Sequence, residues 1–341
     1  MLAVAGVIAP ATGALGQTTT PPQPSIGIRL LQAPVALQND PRAKVYIIDH
    51  VGPGTTFSRQ VAVSSTSDSP VRVQLYSGPA VINGGAFNGE PIGTTNDLSS
   101  WITVSPNVVT IPPHGEVSVT VTIAVPLNAA SGEQYAVVWA QPPPSTGSGI
   151  SEVNRVGIRV YLSVGTGAAP TIDFTINSLT AARNASGVPY VTALVHNTGG
   201  RALDLSGALA LTKGPGGTSA GPFPAKLGTT LGIGQTEPVT VPLDPNIPSG
   251  PWLATITLSS DQVTREAAAT ISFPIVAGTT SAPVPAVAVH HRSASFWAAA
   301  VIALVILAAV GLLLFLFWRR REEDEEDDSG RKLVGAGRRS T

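Results

Sequence analysis

Residues Glu116–Val125 read EVSVTVTIAV, with Val117, Val119, Val121, Ile123 and Val125 apolar and Glu116, Ser118, Thr120 and Thr122 polar. Successive side chains of a strand point to opposite faces, so strict two-residue alternation predicts a strand with one face buried and the other wet. The same device recurs in RVGIRVYLSV, where Val156, Ile158, Val160, Leu162 and Val164 are expected inward and Arg155, Arg159 and Ser163 outward. Short one-sided strands continue along the chain between clusters of Gly, Pro, Asn and Ser, and no amphipathic helical stretch lies outside the chain's ends. This pattern predicts an all-β protein built of immunoglobulin-like antiparallel β-sandwiches.

Two sandwiches are expected, because the sequence repeats itself. VPLNAASGEQYAV begins at Val125 and VPLDPNIPSGPWLAT at Val241, each after a strand-like run. Further upstream, QVAVSSTSDSPVRVQLYSG (from Gln60) has the layout of TALVHNTGGRALDLSG (from Thr192): an alternating run, a polar turn, a second alternating run. A period near 120 residues is too long for a solenoid and fits a duplicated domain, with a two-residue insertion in the second copy's turn. The expected sandwiches span residues 26–166 and 170–275, joined by the short linker SVGTGAAP (Ser163–Pro170), which limits their relative angles. Trp139 shares a strand face with Tyr135 and Val137 and is expected in core or inter-domain packing. Trp252, after the second Ser-Gly turn, is assigned the equivalent place and the same role.

The chain's ends place these domains in a cell. Residues 296–318 (FWAAAVIALVILAAVGLLLFLFW) form an uncharged apolar run long enough to span a bilayer, and Arg319, Arg320 and Arg321 follow it. Interfacial aromatics and a basic cytoplasmic flank predict a single-pass plasma-membrane protein, N-terminus outside and C-terminus cytoplasmic. Residues 1–16 read as a signal peptide without the usual basic start, and 17–25 as a flexible N-terminus. Residues 276–295, rich in Ala, Pro and Val, are expected to form an extended stalk of up to about 60 Å. The tail, 319–341, is a charged low-complexity segment expected to be solvated.

The chain has no cysteine, which excludes disulfides and thiolate metal sites, and its 21 acidic and 20 basic residues leave a net charge of −1. Those charges are dispersed along the sequence, so no basic face for nucleic acid is expected. No catalytic residue, metal or cofactor is assigned. Asp49 and His50 are adjacent, but neighbouring strand residues face opposite sides, and no nucleophile motif accompanies them. The glycine-rich loop Gly214–Pro224 lacks the Lys-Ser/Thr and following helix of a phosphate loop.

The stretches SIGIRLLQAP, DPRAKVYIIDHVGPGTTFSRQVAVSS, SGEQYAVVWA, VNRVGIRVYLSVG, VHNTGGRALDLSG and AGPFPAKLGTTL resemble the actinobacterial branch of the WxL-interacting protein family. That resemblance implies a non-enzymatic envelope protein with its ectodomain in the cell-wall zone: a peptidoglycan-binding-type first sandwich, a second sandwich for an extracellular or wall-associated protein partner, one membrane helix and a short charged tail. A passive surface spacer and an accessory subunit of an envelope enzyme are the alternatives. Sandwich loops present varied polar groups on a rigid scaffold. The candidate ligand residues are therefore Trp101 and, in the irregular stretch Gly78–Ser100, Asn83, Phe87, Asn88, Glu90 and Asn96; packing between the sheets is the competing role for Trp101.

Overall fold

The computed structural model describes residues 25–143, 154–226 and 228–289. The expected signal peptide, transmembrane segment and tail lie outside these residues; no helix among the described residues is long and apolar enough to cross a membrane.

The alternating segments form strands, and the strands form two sandwiches within one compact unit ending at Val289. In the first, the strands in chain order are β1 (Ile26–Leu30), β2 (Ile47–Val51), β3 (Thr56–Ser65), β4 (Val71–Asn83), β5 (Ala86–Gly89), β6 (Ile102–Ser105), β7 (Val108–Ile111), β8 (Glu116–Ala124), β9 (Gly132–Gln141) and β10 (Val156–Val164), and the described residues also include a short α-helix, α1 (Asp97–Trp101), and two single-turn 3-10 helices, Val35–Leu37 and Arg42–Lys44. One sheet has the order β1-β3-β8-β6 and the other β2-β10-β9-β4-β5, with β7 paired to the first half of β4. Val119, Val121 and Ile123 of β8 meet Val138 of β9 and Val160 and Leu162 of β10 in one apolar core, the inward set that the alternation predicts. Each such residue, removed from water, contributes about 1.5–3 kcal/mol, and without disulfides this burial carries the domain.

The second sandwich repeats the plan with β11 (Phe174–Arg183), β12 (Pro189–Asn197), β13 (Leu203–Thr212), β14 (Ala220–Pro224), β15 (Thr229–Leu231), β16 (Thr236–Pro242), β17 (Trp252–Ser260), β18 (Val263–Ile271), β19 (Val284–Pro285) and β20 (Val287–Ala288). Its sheets run β16-β12-β11-β19 and β14-β13-β17-β18-β20, with β15 on β13. The order β10-β9-β4-β5 thus reappears as β18-β17-β13-β14, and the two repeated motifs occupy the same connections, β8 to β9 and β16 to β17.

Three features depart from the sequence reading. The sandwiches are not wholly antiparallel: β2 runs parallel to β10, pairing Val160 with Ile47 through Val164 with Val51. The stretch expected in a stalk is docked as far as Val289: β19 pairs with β11 in one sheet, β20 with β18 in the other, and Ser281 N donates to Ala181 O at 2.9 Å. An open sandwich side has unpaired backbone groups, and this segment satisfies some of them, which its proline-rich composition conceals. Finally, Trp252 is the second residue after its Ser-Gly pair, the position held by Gln134 in the first copy, and it is 2% exposed in the second core, donating from Nε1 to Pro248 O at 3.0 Å. Its packing role is as expected, but it is not the counterpart of Trp139.

Candidate binding face

Along β4, β9 and β10, residues facing away from the first core lie on the outer face of the five-strand path β2-β10-β9-β4-β5. Cross-strand register sets Tyr161 beside Tyr135, Gly157 beside Trp139, and Trp139 beside Tyr76. On β9 the outward side chains are Tyr135, Val137, Trp139 and Gln141, so this strand is largely apolar on both faces. Apolar residues on both faces predict cover on both sides, which the outer face receives at its Tyr135 end, whereas Trp139, expected in core or inter-domain packing, is only partly buried at the other end.

One end of the face is covered by the second sandwich. Tyr161 and Ile48, with Ala43 and Ile82, form a buried cluster with Ala202 of the second sandwich, and Tyr46, Phe87 and Tyr135 pack against it. The rings of Phe87 and Tyr161 lie 5.1 Å apart, and those of Tyr135 and Tyr161 meet edge-on at 5.8 Å. Charges surround the rings. Asp204, on β13, receives Tyr161 Oη at 3.2 Å, Arg159 Nη1 at 3.2 Å and Thr230 Oγ1 at 2.6 Å, while Arg42 Nε sits 2.8 Å from its Oδ2. Arg42 Nη1 donates to Ala202 O at 2.9 Å, and Ala202 N donates to Glu133 Oε2 at 2.5 Å. Backbone groups join in: Thr230 N donates to Gly85 O at 2.9 Å, and Gln235 Nε2 to Ile82 O at 2.8 Å.

Burial raises the Glu133 carboxyl above its ordinary value, opposed by hydrogen bonds from Ala202 N and Tyr135 and by Arg201 and Arg42. For Arg42 burial acts against the charge, yet Asp204, Tyr161, Glu133 and Asp40 together outweigh it and raise its pKa. Tyr161 and Tyr135 are pushed upward by burial first, and remain neutral hydrogen-bond donors. The joint is therefore a desolvated, paired network whose members depend on one another.

The other end of the face is open. Trp139 lies on a floor of Gly78, Gly89 and Gly157; a Cβ at Gly157 would come within 2.7 Å of its ring, and one at Gly89 within 2.4 Å. The Arg155 guanidinium covers the ring at 4.0 Å from the centroid, donating to Glu90 O at 3.2 Å and to Tyr76 Oη at 3.4 Å. Tyr76 Oη in turn donates to Gln141 Oε1 at 2.7 Å. Beyond Gln141 a pocket of about 270 Å³ is lined by Arg72, Gln74, Val108, Gln141, Pro142 and Pro143.

The candidate residues from the sequence are not gathered into one site. Trp101 closes α1 and packs, half-buried, on the first core. Asn96 caps the same helix, its Oδ1 accepting from Ser99 N at 2.8 Å and its Nδ2 donating to Tyr135 O at 2.8 Å. Phe87 belongs to the joint. Asn83 and Asn88 are exposed, but Asn88 Nδ2 donates to Asn83 Oδ1 at 2.6 Å within their own hairpin. Glu90 contributes its backbone carbonyl to Arg155. Asp49 and His50 do face opposite sides: Asp49 pairs with Arg59, while His50 contacts Ser163 Oγ at 3.1 Å and Gly167 O at 3.2 Å. A carbonyl only accepts, so His50 Nε2–H donates to it, and in the neutral ring Nδ1 accepts from a serine that is 1% exposed.

No family model and no curated protein matches the chain. Among solved structures it is similar to the class 5 fimbriae chaperone CfaA (13% identity, 73% of this chain and 100% of that chain, TM-score 0.36). It is also similar to the Pseudomonas aeruginosa CupB2 chaperone (10%, 67% and 97%, TM-score 0.35) and to a structure of the Salmonella enterica SafA pilin in complex with the SafB chaperone (11%, 76% and 95%, TM-score 0.37). These are distant likenesses.

Proposed function

We propose that this chain is a non-enzymatic, membrane-anchored binding protein of the cell envelope whose first sandwich takes peptidoglycan. The observation that supports the reading is the division of one sheet face. One end of it is spent on docking the second sandwich, and the other presents Arg72, Gln74, Tyr76, Trp139 and Gln141 on strands, with Arg155 just before β10. Amide and guanidinium donors beside aromatic rings suit a ligand made of sugars and short peptides, and strands present them without the cost of ordering a loop. The apolar run 296–318 and the N-terminal leader support placement of the sandwiches outside the plasma membrane.

The test is co-sedimentation of the full chain, in detergent, with protein-stripped sacculi. Saturable pelleting is expected. Its absence overturns wall binding and leaves a spacer role, or a surface for a wall-associated protein partner, as the better account.

A further inference from the structure

The pocket at the open end of the face has a chemistry of its own. Arg72 and Gln74 reach it from outward positions of β4, Gln141 from the end of β9, and Val108 with Pro142 and Pro143 supply apolar walls. Among the described residues no carboxylate lines it. Gln141 is oriented, because its Oε1 accepts from Tyr76 and its amide nitrogen is thereby left as the group available to a ligand. Arg72 is exposed and makes no ion pair among the described residues. A planar guanidinium beside amide donors matches the two oxygens of a carboxylate, which Arg binds in a fork. At about 270 Å³ the pocket lies just below the usual range for whole small-molecule ligands, so it suits a chain end with a small side chain against Val108 and the prolines.

We infer that this pocket is a receptor for the free carboxylate end of a short peptide, taken from the stem peptides of the wall. The source of the peptide rests on the peptidoglycan reading above, whereas the carboxylate chemistry rests on the pocket alone. Arg72 supplies the charge, Gln141 and Gln74 direct the carboxylate and the last amide, and the link from Gln141 through Tyr76 and Arg155 reaches the Trp139 ring, making that indole a reporter of occupancy.

The experiment titrates the full chain with N-acetyl-D-alanyl-D-alanine as free acid and as its carboxamide, read by tryptophan emission and by calorimetry. Saturable binding of the acid is expected, with the amide and the Arg72→Gln variant each weaker by about tenfold or more. The acid's binding should also weaken as salt is raised, since Arg72 is exposed. Equal binding of acid and amide, unchanged binding by Arg72→Gln, or no saturation by calorimetry overturns the inference. The sacculus assay separates the two readings. Wild-type pelleting that Arg72→Gln leaves intact, with no peptide binding, removes the pocket and keeps the wall. Peptide binding without pelleting keeps the pocket and removes the wall.

Discussion

The two ends of one sheet face use the same kinds of residue for different ends. At the covered end Arg159 lies 4.9 Å from the Phe87 centroid and 5.1 Å from that of Tyr46, and Asp204 of the second sandwich completes the charge balance. At the open end Arg155 lies 4.0 Å over Trp139, and among the described residues it donates to a tyrosine hydroxyl and one carbonyl, both within the first sandwich. A cation over an aromatic ring is weak glue when solvated and part of a tight joint when a partly buried carboxylate pairs with it. The difference teaches that the partner from outside the domain, not the strand sequence, decides which end is structural and which is available.

Asp204→Asn should break the covered end most severely. It leaves Arg42, with a side chain only 7% exposed, without its carboxylate, and a cost of about 3 kcal/mol is expected in urea unfolding. A loss below about 0.5 kcal/mol would mean that the aromatic cluster alone holds the joint.

The pH dependence sharpens the same contrast. Burial raises Asp49 to about 6 despite the Arg59 guanidinium, and Glu133 is raised by burial as well. A native carboxyl that holds its proton more tightly than the unfolded chain stabilises the fold fully at low pH and loses that contribution as pH rises through its native value. Stability should therefore fall between pH about 4 and 6, with Asp49 accounting for about 2–3 kcal/mol at most. Glu133→Gln should remove the joint's share of the slope and Asp49→Asn the first core's share, both measured by thermal unfolding across pH. A slope of opposite sign would show that pairing outweighs burial at these carboxyls.

At the open end the expected effects are smaller. Gly157→Ala places a methyl 2.4 Å from Val137 Cγ1 and 2.7 Å from the indole, and should cost about 1–2 kcal/mol while shifting tryptophan emission. Arg155→Ala removes the cover from Trp139, for a loss of about 0.5–1 kcal/mol and a red-shifted emission as water reaches the ring. If either variant also loosened the joint, the two ends of the face would not be independent.

Much of this was legible in the sequence. Alternation in EVSVTVTIAV and RVGIRVYLSV placed Val121, Ile123, Val160 and Leu162 in the first core, and the repeated VPL and Ser-Gly motifs marked the same turn in both sandwiches. The candidate ligand residues were less so. Asn96 and Phe87 are polar or aromatic residues of an irregular stretch, the usual sign of a recognition loop, yet one caps a helix and the other is packed in the joint. The one signal for the joint was YAVVW, apolar on both faces of β9. Arg42, Glu133, Arg201 and Asp204 gave no signal at all, since residues spread over some 160 positions look dispersed until the second sandwich closes on the first.

The sequence by itself determined the strands, their inward faces and the duplication, because period-two burial is a local property of the chain. Only the tertiary structure decided which outward faces meet, why dispersed charges become a buried network, and where the apparent stalk docks. Those outcomes depend on contacts between distant segments, whose pairing no local pattern records.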